Sequence, residues 1–240
     1  MTLYVGTSGW AYPQWKPGFY PEKLPQKRFL EHYATRLSAC EINATFYRIQ
    51  SDTTVKNWHD LTPGDFKFAV KGHRMISNVR DLTPSPERRD ILGEFVQSLE
   101  GLGPKVGALM LQFSARKPED LSGFEALLDA LPNRLPLAVD LKHETWHVPD
   151  VEELVFSKGG TLCFSHYEGD IPKALPPGRV AYCRLRQESY DDKQREAWTA
   201  LLQAEAKERD VYAFVKHEQG PPDDPHVGVG FAQWLVNEVG

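Results

Sequence analysis

Eight charged side chains stand at or near the ends of short apolar runs in this sequence. They are Lys71, Lys142, Arg184, Arg186 and Lys216 on the positive side and Glu41, Asp140 and Glu218 on the negative. In each run the charged residues share one parity and the apolar residues the other. Ala181, Cys183 and Leu185 alternate with Tyr182, Arg184 and Arg186; Ile42, Ala44 and Phe46 with Glu41, Asn43 and Thr45; Phe66, Phe68 and Val70 with Lys67, Ala69 and Lys71. Successive side chains of a strand point to opposite faces, so each set belongs to one face. If these faces meet, five cations stand against three carboxylates, which suits a phosphate or carboxylate ligand beside acid-base groups. Glu41, Asp140 and His143 are the candidate catalytic residues. Lys71, Lys142, Arg184, Arg186 and Lys216 would hold the anion, and Asn43 and Gln112 would orient hydroxyls. The alternative is a ring of mutually neutralising ion pairs that fills an interior.

Other motifs are weaker. Cationic crowding would depress a lysine pKa, so Lys71, Lys142 or Lys216 could form a Schiff base with a carbonyl substrate. His143-Glu144-Thr145-Trp146-His147 matches His-Glu-x-x-His, but a helix is needed to place both histidines on zinc, and Pro149 disfavours helix through Val148. No metal or cofactor is therefore predicted, although Glu41, Asp140, His143, His166 and His217 supply ligand types for a divalent ion. Trp10, Tyr12 and Trp146 are candidates for stacking on a ligand. Trp10, Tyr12, Trp15, Phe19 and Tyr20 lie together among prolines and glycines, as an aromatic wall or as rings that pin a long loop.

The elements that must position these residues are short. Eight β-like runs cover 3–7, 40–46, 66–71, 106–113, 137–142, 161–165, 180–186 and 211–217. Helical patterns alternate with them: Phe29, Leu30, Tyr33, Ala34 and Leu37; 52–61 after a capping Ser51; a helix begun by Ser85-Pro86-Glu87; 126–131; 192–209; and 231–239. Residues 169–178 contain Pro172, Pro176 and Pro177 and cannot hold a full helix. Spread over 240 residues, eight units average about 30 residues, the size of a strand with its crossover. Connections too long for hairpins predict parallel strands, hence an α/β fold: one TIM-type (β/α)8 barrel domain over 1–240 with a crossover helix weak or missing after the sixth strand. An open doubly wound sheet is the alternative, but Gly6-Thr7-Ser8-Gly9 lacks the dinucleotide-binding spacing.

Composition narrows the function classes. The chain is 41% apolar and 25% charged, with a net charge of -5, so it has no general attraction for nucleic acid or anionic lipid. Its apolar stretches are too short for a membrane span, and the first residues do not read as a secretory signal, which predicts a cytoplasmic chain with no membrane partner. Cys40, Cys163 and Cys183 lie in apolar runs, as reduced thiols do.

Several motifs carry a resemblance: Gly6-Thr7-Ser8-Gly9-Trp10, Tyr12-x-x-Trp15, Phe19-Tyr20-Pro21, Glu41-Ile42-Asn43-x-Thr45-Phe46-Tyr47 and Phe66-x-Phe68-x-Val70-Lys71. Together with Gln112, Asp140-x-Lys142-His143-x-x-Trp146 and Tyr182-x-Arg184, they resemble the domain-of-unknown-function 72 (YecE-like) proteins over essentially the whole chain. The resemblance implies a barrel similar in layout to xylose isomerase and endonuclease IV, and implies no settled reaction. The chain departs from the usual pattern in having Asp140-Leu-Lys142 for Glu-x-Arg, Arg184-Leu-Arg186-Gln187 for Arg-x-His-Gly and Lys216-His217 for Asn-Asn. The last two changes add cations. The resulting expectation is an enzyme or binder acting at the barrel mouth on a small anionic or polyhydroxylated molecule, sugar-phosphate-like, by acid-base chemistry. The alternatives are a nucleic-acid binder or phosphodiesterase and a non-catalytic ligand-binding barrel.

Overall fold

Parallel strands follow one another around a barrel. The structure, a computed structural model, describes residues 1–132, 135–217 and 220–239. The strands are β1 (Leu3–Thr7), β2 (Ala39–Ile42), β3 (Lys67–Lys71), β4 (Val106–Phe113), β5 (Leu137–Leu141), β6 (Gly160–Leu162), β7 (Phe164–His166), β8 (Val180–Leu185) and β9 (Asp210–Val215). Their order is β6-β5-β4-β3-β2-β1-β9-β8-β7, and every pair is parallel. The sixth expected run is divided at Cys163: its first part pairs with β5 and its second with β8. The nine strands therefore trace the eight staves of a (β/α)8 barrel, nearly closed, with one stave broken in the middle.

Helices α1 (Phe29–Tyr33), α2 (Ala44–Tyr47), α3 (Asp52–Asp60), α4 (Arg74–Ser77), α5 (Pro86–Ser98), α6 (Leu121–Ala130), α7 (Pro149–Ser157), α8 (Asp192–Glu205) and α9 (Gly228–Val239) occupy the connections. Their starts follow the sequence: Ser51 accepts from the Thr54 amide, Ser85 from the Arg88 amide, and Asp191 forms a capping box with Gln194. Among the described residues no helix falls between β7 and β8, where the prolines predicted none. Strand β2 is shorter than expected. It ends at Ile42, and Asn43 leads into α2, so Thr45 and Phe46 are helical rather than extended.

Two apolar cores follow from strand alternation. Outward residues such as Val5, Ile42, Phe68, Val70, Leu111, Val139 and Val215 pack beneath the helices. Inside the barrel, Ala39, Ala69, Ala108, Met110, Ala138, Tyr182, Tyr212 and Phe214 form a second cluster. Small alanines on the neighbouring strands β2 to β5 leave room for the Tyr182, Tyr212 and Phe214 rings from β8 and β9. This apolar plug is the floor on which the charged residues one turn of the pleat higher must stand.

The start of the barrel shows why Gly6 is glycine. The Tyr33 hydroxyl enters between β1 and β2, accepting from the Thr7 amide at 2.8 Å and donating to the Ala39 carbonyl at 2.9 Å. A Cβ on Gly6 would lie 1.8 Å from that carbonyl oxygen and 2.9 Å from the Tyr33 hydroxyl. The missing side chain lets a phenol bridge two strands, and β1 then delivers Ser8 to the barrel mouth.

Candidate functional site

The inward residues at the C-terminal ends of the strands form one continuous cluster. Glu41, at the end of β2, is fully buried. Its Oε1 accepts from Ser8 Oγ at 2.7 Å, Arg184 NH2 at 2.9 Å and Arg186 NH2 at 3.3 Å, while Oε2 accepts from the Tyr182 hydroxyl at 2.7 Å. Asp140 on β5 receives Arg184 NH1 at 2.9 Å and Gln112 Nε2 at 2.7 Å on Oδ2, and Lys142 Nζ at 2.8 Å on Oδ1. Arg184 thus crosses the barrel and ties both carboxylates together. Gln112 extends the chain of contacts, because its Oε1 accepts from Lys71 Nζ at 2.6 Å. Arg186 NH2 also donates to Ser8 Oγ.

Local structure fixes these positions. The Thr45 hydroxyl, on α2, donates to the Lys71 carbonyl at 2.7 Å, so the short helix after β2 clamps the end of β3. The Ser77 hydroxyl, on α4, donates to the Gln112 carbonyl at 2.9 Å and does the same for β4. Phe46 supplies a ring face 4.5 Å from Lys71 Nζ, and Tyr167 a hydroxyl 2.9 Å from Lys142 Nζ. Lys142 also donates to Ser165 Oγ at 3.2 Å.

Electrostatics separates the candidates. Burial pushes the Glu41 carboxyl up, but the Arg184 and Arg186 guanidiniums and the hydrogen bonds from Ser8 and Tyr182 outweigh it and hold the group well below the usual carboxylate range. Glu41 is a permanent anion, a strut rather than a proton carrier near neutral pH. Lys142 moves the other way from Lys71. Burial lowers Lys142, but the adjacent Asp140 carboxylate and the Tyr167 hydroxyl together outweigh it and raise the group. Lys71 is lowered by burial first and by Arg184 second. The cysteine at the strand break, Cys163, has its thiol pushed up by burial, with Asp140 adding to the effect.

Among the described residues the cluster holds four cations, Lys71, Lys142, Arg184 and Arg186, against two carboxylates, Glu41 and Asp140. Both carboxylates already hold several donors, whereas donor positions on the cations remain open among these residues. Neither Nε nor NH1 of Arg186 makes a hydrogen bond among the described residues, and the side-chain amide of Asn43, half-buried just after β2, makes none either. Lys216 follows β9, with its amide donating to the Leu185 carbonyl. Glu218 lies outside the described residues.

Other expected site residues sit elsewhere. Trp146 is fully buried beside Phe113 and Phe124, with Nε1 donating to the Lys117 carbonyl, so it packs under the helices rather than at the mouth. His143 caps a short 3-10 turn, Glu144–Trp146, through the Thr145 amide. Its ring makes no hydrogen bond to Glu41 or Asp140. Trp10 packs edge-on against Trp58 and beside Phe68 in the helical layer. Tyr12 does border the mouth: its hydroxyl donates to the Ser8 carbonyl at 2.6 Å and its ring stacks on His217. Trp15, Phe19 and Tyr20 are buried, and so pin the loop. Ser8 and Tyr182, both bonded to Glu41, stand in the quoted motifs but were not among the expected site residues. Tyr182 shares the parity of Arg184, which is the signal that could have found it.

A metal site does not emerge from these residues. His147 Nε2 bonds the Leu141 carbonyl and His143 Nδ1 the Thr145 hydroxyl, so the His-Glu-x-x-His pair is divided. Among the described residues no group of three or more His, Cys, Asp and Glu side chains converges as metal ligands. Among the same residues no helix is long and apolar enough to cross a membrane.

Comparison with known proteins agrees with the barrel fold. The profile of a family described as "Protein of unknown function DUF72" matches residues 4–236. UPF0759 protein YecE of Escherichia coli K12 is 27% identical over 195 residues, which is 80% of this chain and 66% of that protein. UPF0759 protein YunF of Bacillus subtilis is 25% identical over 175 residues, 70% of this chain and 58% of that protein. The chain therefore spans just under two thirds of the length of the first of these relatives and less of the second. Among solved structures, a DUF72 family protein from Thermotoga maritima superposes with a TM-score of 0.79 at 19% identity, covering 100% of this chain and 99% of the other. One from Enterococcus faecalis gives 0.72 at 16% identity, covering 99% and 97%.

Proposed function

The chain belongs to the DUF72 family, and from that premise we propose that the mouth of its barrel binds a small anionic ligand, of the kind a phosphorylated or carboxylated polyhydroxy compound presents. One observation carries this reading. Among the described residues four cations surround two carboxylates that already accept from four donors at Glu41 and three at Asp140, so the cluster holds surplus positive charge at a half-buried position. A bound anion would relieve that surplus, and low local dielectric strengthens each contact it makes. Arg186 offers Nε and NH1, Lys142 and Lys71 their ammonium groups, and Asn43 an amide for a hydroxyl. Arg184, Glu41 and Asp140 form the rigid base that aims them.

Glu41 does not serve as the acid-base group in this reading, because its four donors keep it ionised. A long nucleic-acid track is disfavoured by the net charge of -5 and by the position of the cations at the floor of a mouth. Calorimetric titration with inorganic phosphate and with glycerol 3-phosphate tests the proposal, using the natural chain and Arg186→Met and Lys142→Met variants. A hydrogen bond to a charged group contributes about 1.5–3 kcal/mol, so each variant should lose about 10- to 150-fold in affinity. Absence of binding by the natural chain, or equal binding by the three proteins, contradicts the proposal.

A further inference from the structure

Among the cluster's cations Lys71 is the exception. Lys142, Arg184 and Arg186 each contact a carboxylate within 4.0 Å, at 2.8, 2.9 and 3.3 Å. Lys71 contacts none among the described residues. Its Nζ has a neutral amide oxygen, Gln112 Oε1, at 2.6 Å, and the Phe46 ring face at 4.5 Å. Gln112 cannot turn away, because its amide nitrogen is held by Asp140. The strand end that carries Lys71 is clamped by the Thr45 hydroxyl. The side chain is half-buried, and so is reachable from the mouth.

We propose that Lys71 is a nucleophilic amine that forms an imine with a phosphorylated aldehyde or ketone, whose anionic group rests on Arg186 and Lys142. This rests on the anion-binding reading and names the substrate class for it. A carboxylate neighbour would lock a lysine as ammonium, whereas an uncharged carbonyl oxygen holds the ammonium less strongly and can still accept from the neutral amine, whose lone pair stays available. Burial and the Arg184 and Arg186 charges shift Lys71 toward that neutral form against the opposing pull of Glu41 and Asp140, so its ammonium gives up a proton more readily than an exposed lysine does. The lone pair adds to the carbonyl carbon, forming the C–N bond as the C=O π bond becomes a hydroxyl that takes a proton. Nζ gives up its two protons in turn, one balancing the proton taken by the hydroxyl and one balancing the proton that lets this hydroxyl leave as water, and the neutral C=N bond remains on Nζ. No oxidant or reductant is needed.

The test is borohydride trapping followed by peptide mass mapping, with pyridoxal 5′-phosphate and dihydroxyacetone phosphate as probes and glycolaldehyde as the unphosphorylated control. Lys71 should carry the main adduct at near one equivalent with the phosphorylated probes. It should react measurably faster than every other lysine in the chain. Excess inorganic phosphate should suppress the adduct, Lys71→Arg should abolish it, and Lys142→Arg should keep it. Adducts spread over other lysines with Lys71 unmodified overturn the proposal, and this is readable on the natural chain even if Lys71→Arg fails to fold. If phosphate binds at the mouth while Lys71 stays unmodified, the imine fails and the anion reading stands. If neither occurs, both fail.

Discussion

Replacing Arg184 by methionine removes the cation that ties Glu41 to Asp140 and so probes the base of the site. Its two terminal nitrogens each lie 2.9 Å from a carboxylate whose side chain is 0% or 3% exposed. Removing one partner of a buried ion pair costs about 3–5 kcal/mol, because the remaining charge is stranded. Neither carboxylate is stranded fully here, since Arg186 stays 3.3 Å from Glu41 and Lys142 2.8 Å from Asp140. The expected loss is therefore at the lower end, about 3 kcal/mol. Urea unfolding at pH 7 measures it, with the slope unchanged if the variant keeps its fold. The pH dependence gives an independent check. Glu41's folded pKa is depressed, so its stabilisation is present above the ordinary value of about 4.3 and is lost as pH falls toward the lower folded value. Without Arg184 that depression shrinks. The gap between natural chain and variant should be widest near neutrality and should narrow below about pH 4. A loss under about 1 kcal/mol at pH 7, or a gap unchanged by acid, would refute the reasoning and leave lost packing as the only effect.

Tyr33→Phe removes the hydroxyl that bridges the Thr7 amide and the Ala39 carbonyl, and should cost about 1–3 kcal/mol in urea unfolding. No loss would mean that the strands close without the phenol. Trp146→Ala should cost about 3–5 kcal/mol through the cavity between Phe113 and Phe124, yet leave phosphate affinity within about twofold in calorimetry. A large affinity change would put Trp146 at the mouth after all. Lys71's folded pKa is lowered by burial, so folding stability should gain from this group as pH rises from that value toward the ordinary lysine value of about 10.4. Thermal melts of the natural chain and Lys71→Met between neutral pH and that value should diverge accordingly. Parallel curves would place Lys71 in water.

Strand alternation makes most of the cluster legible in the sequence itself. Glu41, Lys71, Gln112, Asp140, Lys142, Arg184 and Arg186 all lie in or directly beside parallel strands, where parity decides the face and the C-terminal end decides the layer. The same rule could not place His143 and Trp146, which follow β5 in a 3-10 turn with its own geometry. It also misjudged 43–46, because nothing in the apolar pattern of Ile42, Ala44 and Phe46 marks the point where extended chain becomes helix. The partnership of Glu41 with Ser8 and Tyr182 depends on distance across the barrel, 33 and 141 residues away in sequence, which no local pattern encodes. The division of the sixth stave at Cys163 was likewise invisible, since a half that leaves one neighbour for another keeps its alternation. The aromatic loop was readable in both directions. Burial of Trp15, Phe19 and Tyr20 assigns these rings to pinning, while Tyr12 alone of the group borders Ser8.

The most direct test of the surplus positive charge is a crystal structure of the protein soaked in millimolar phosphate, inspected at the C-terminal mouth of the barrel. A tetrahedral anion bonded to Arg186 Nε or NH1, with Lys142 and Lys71 within ion-pair distance, is the predicted result. Water alone at those nitrogens, with phosphate bound only elsewhere on the surface, would contradict it.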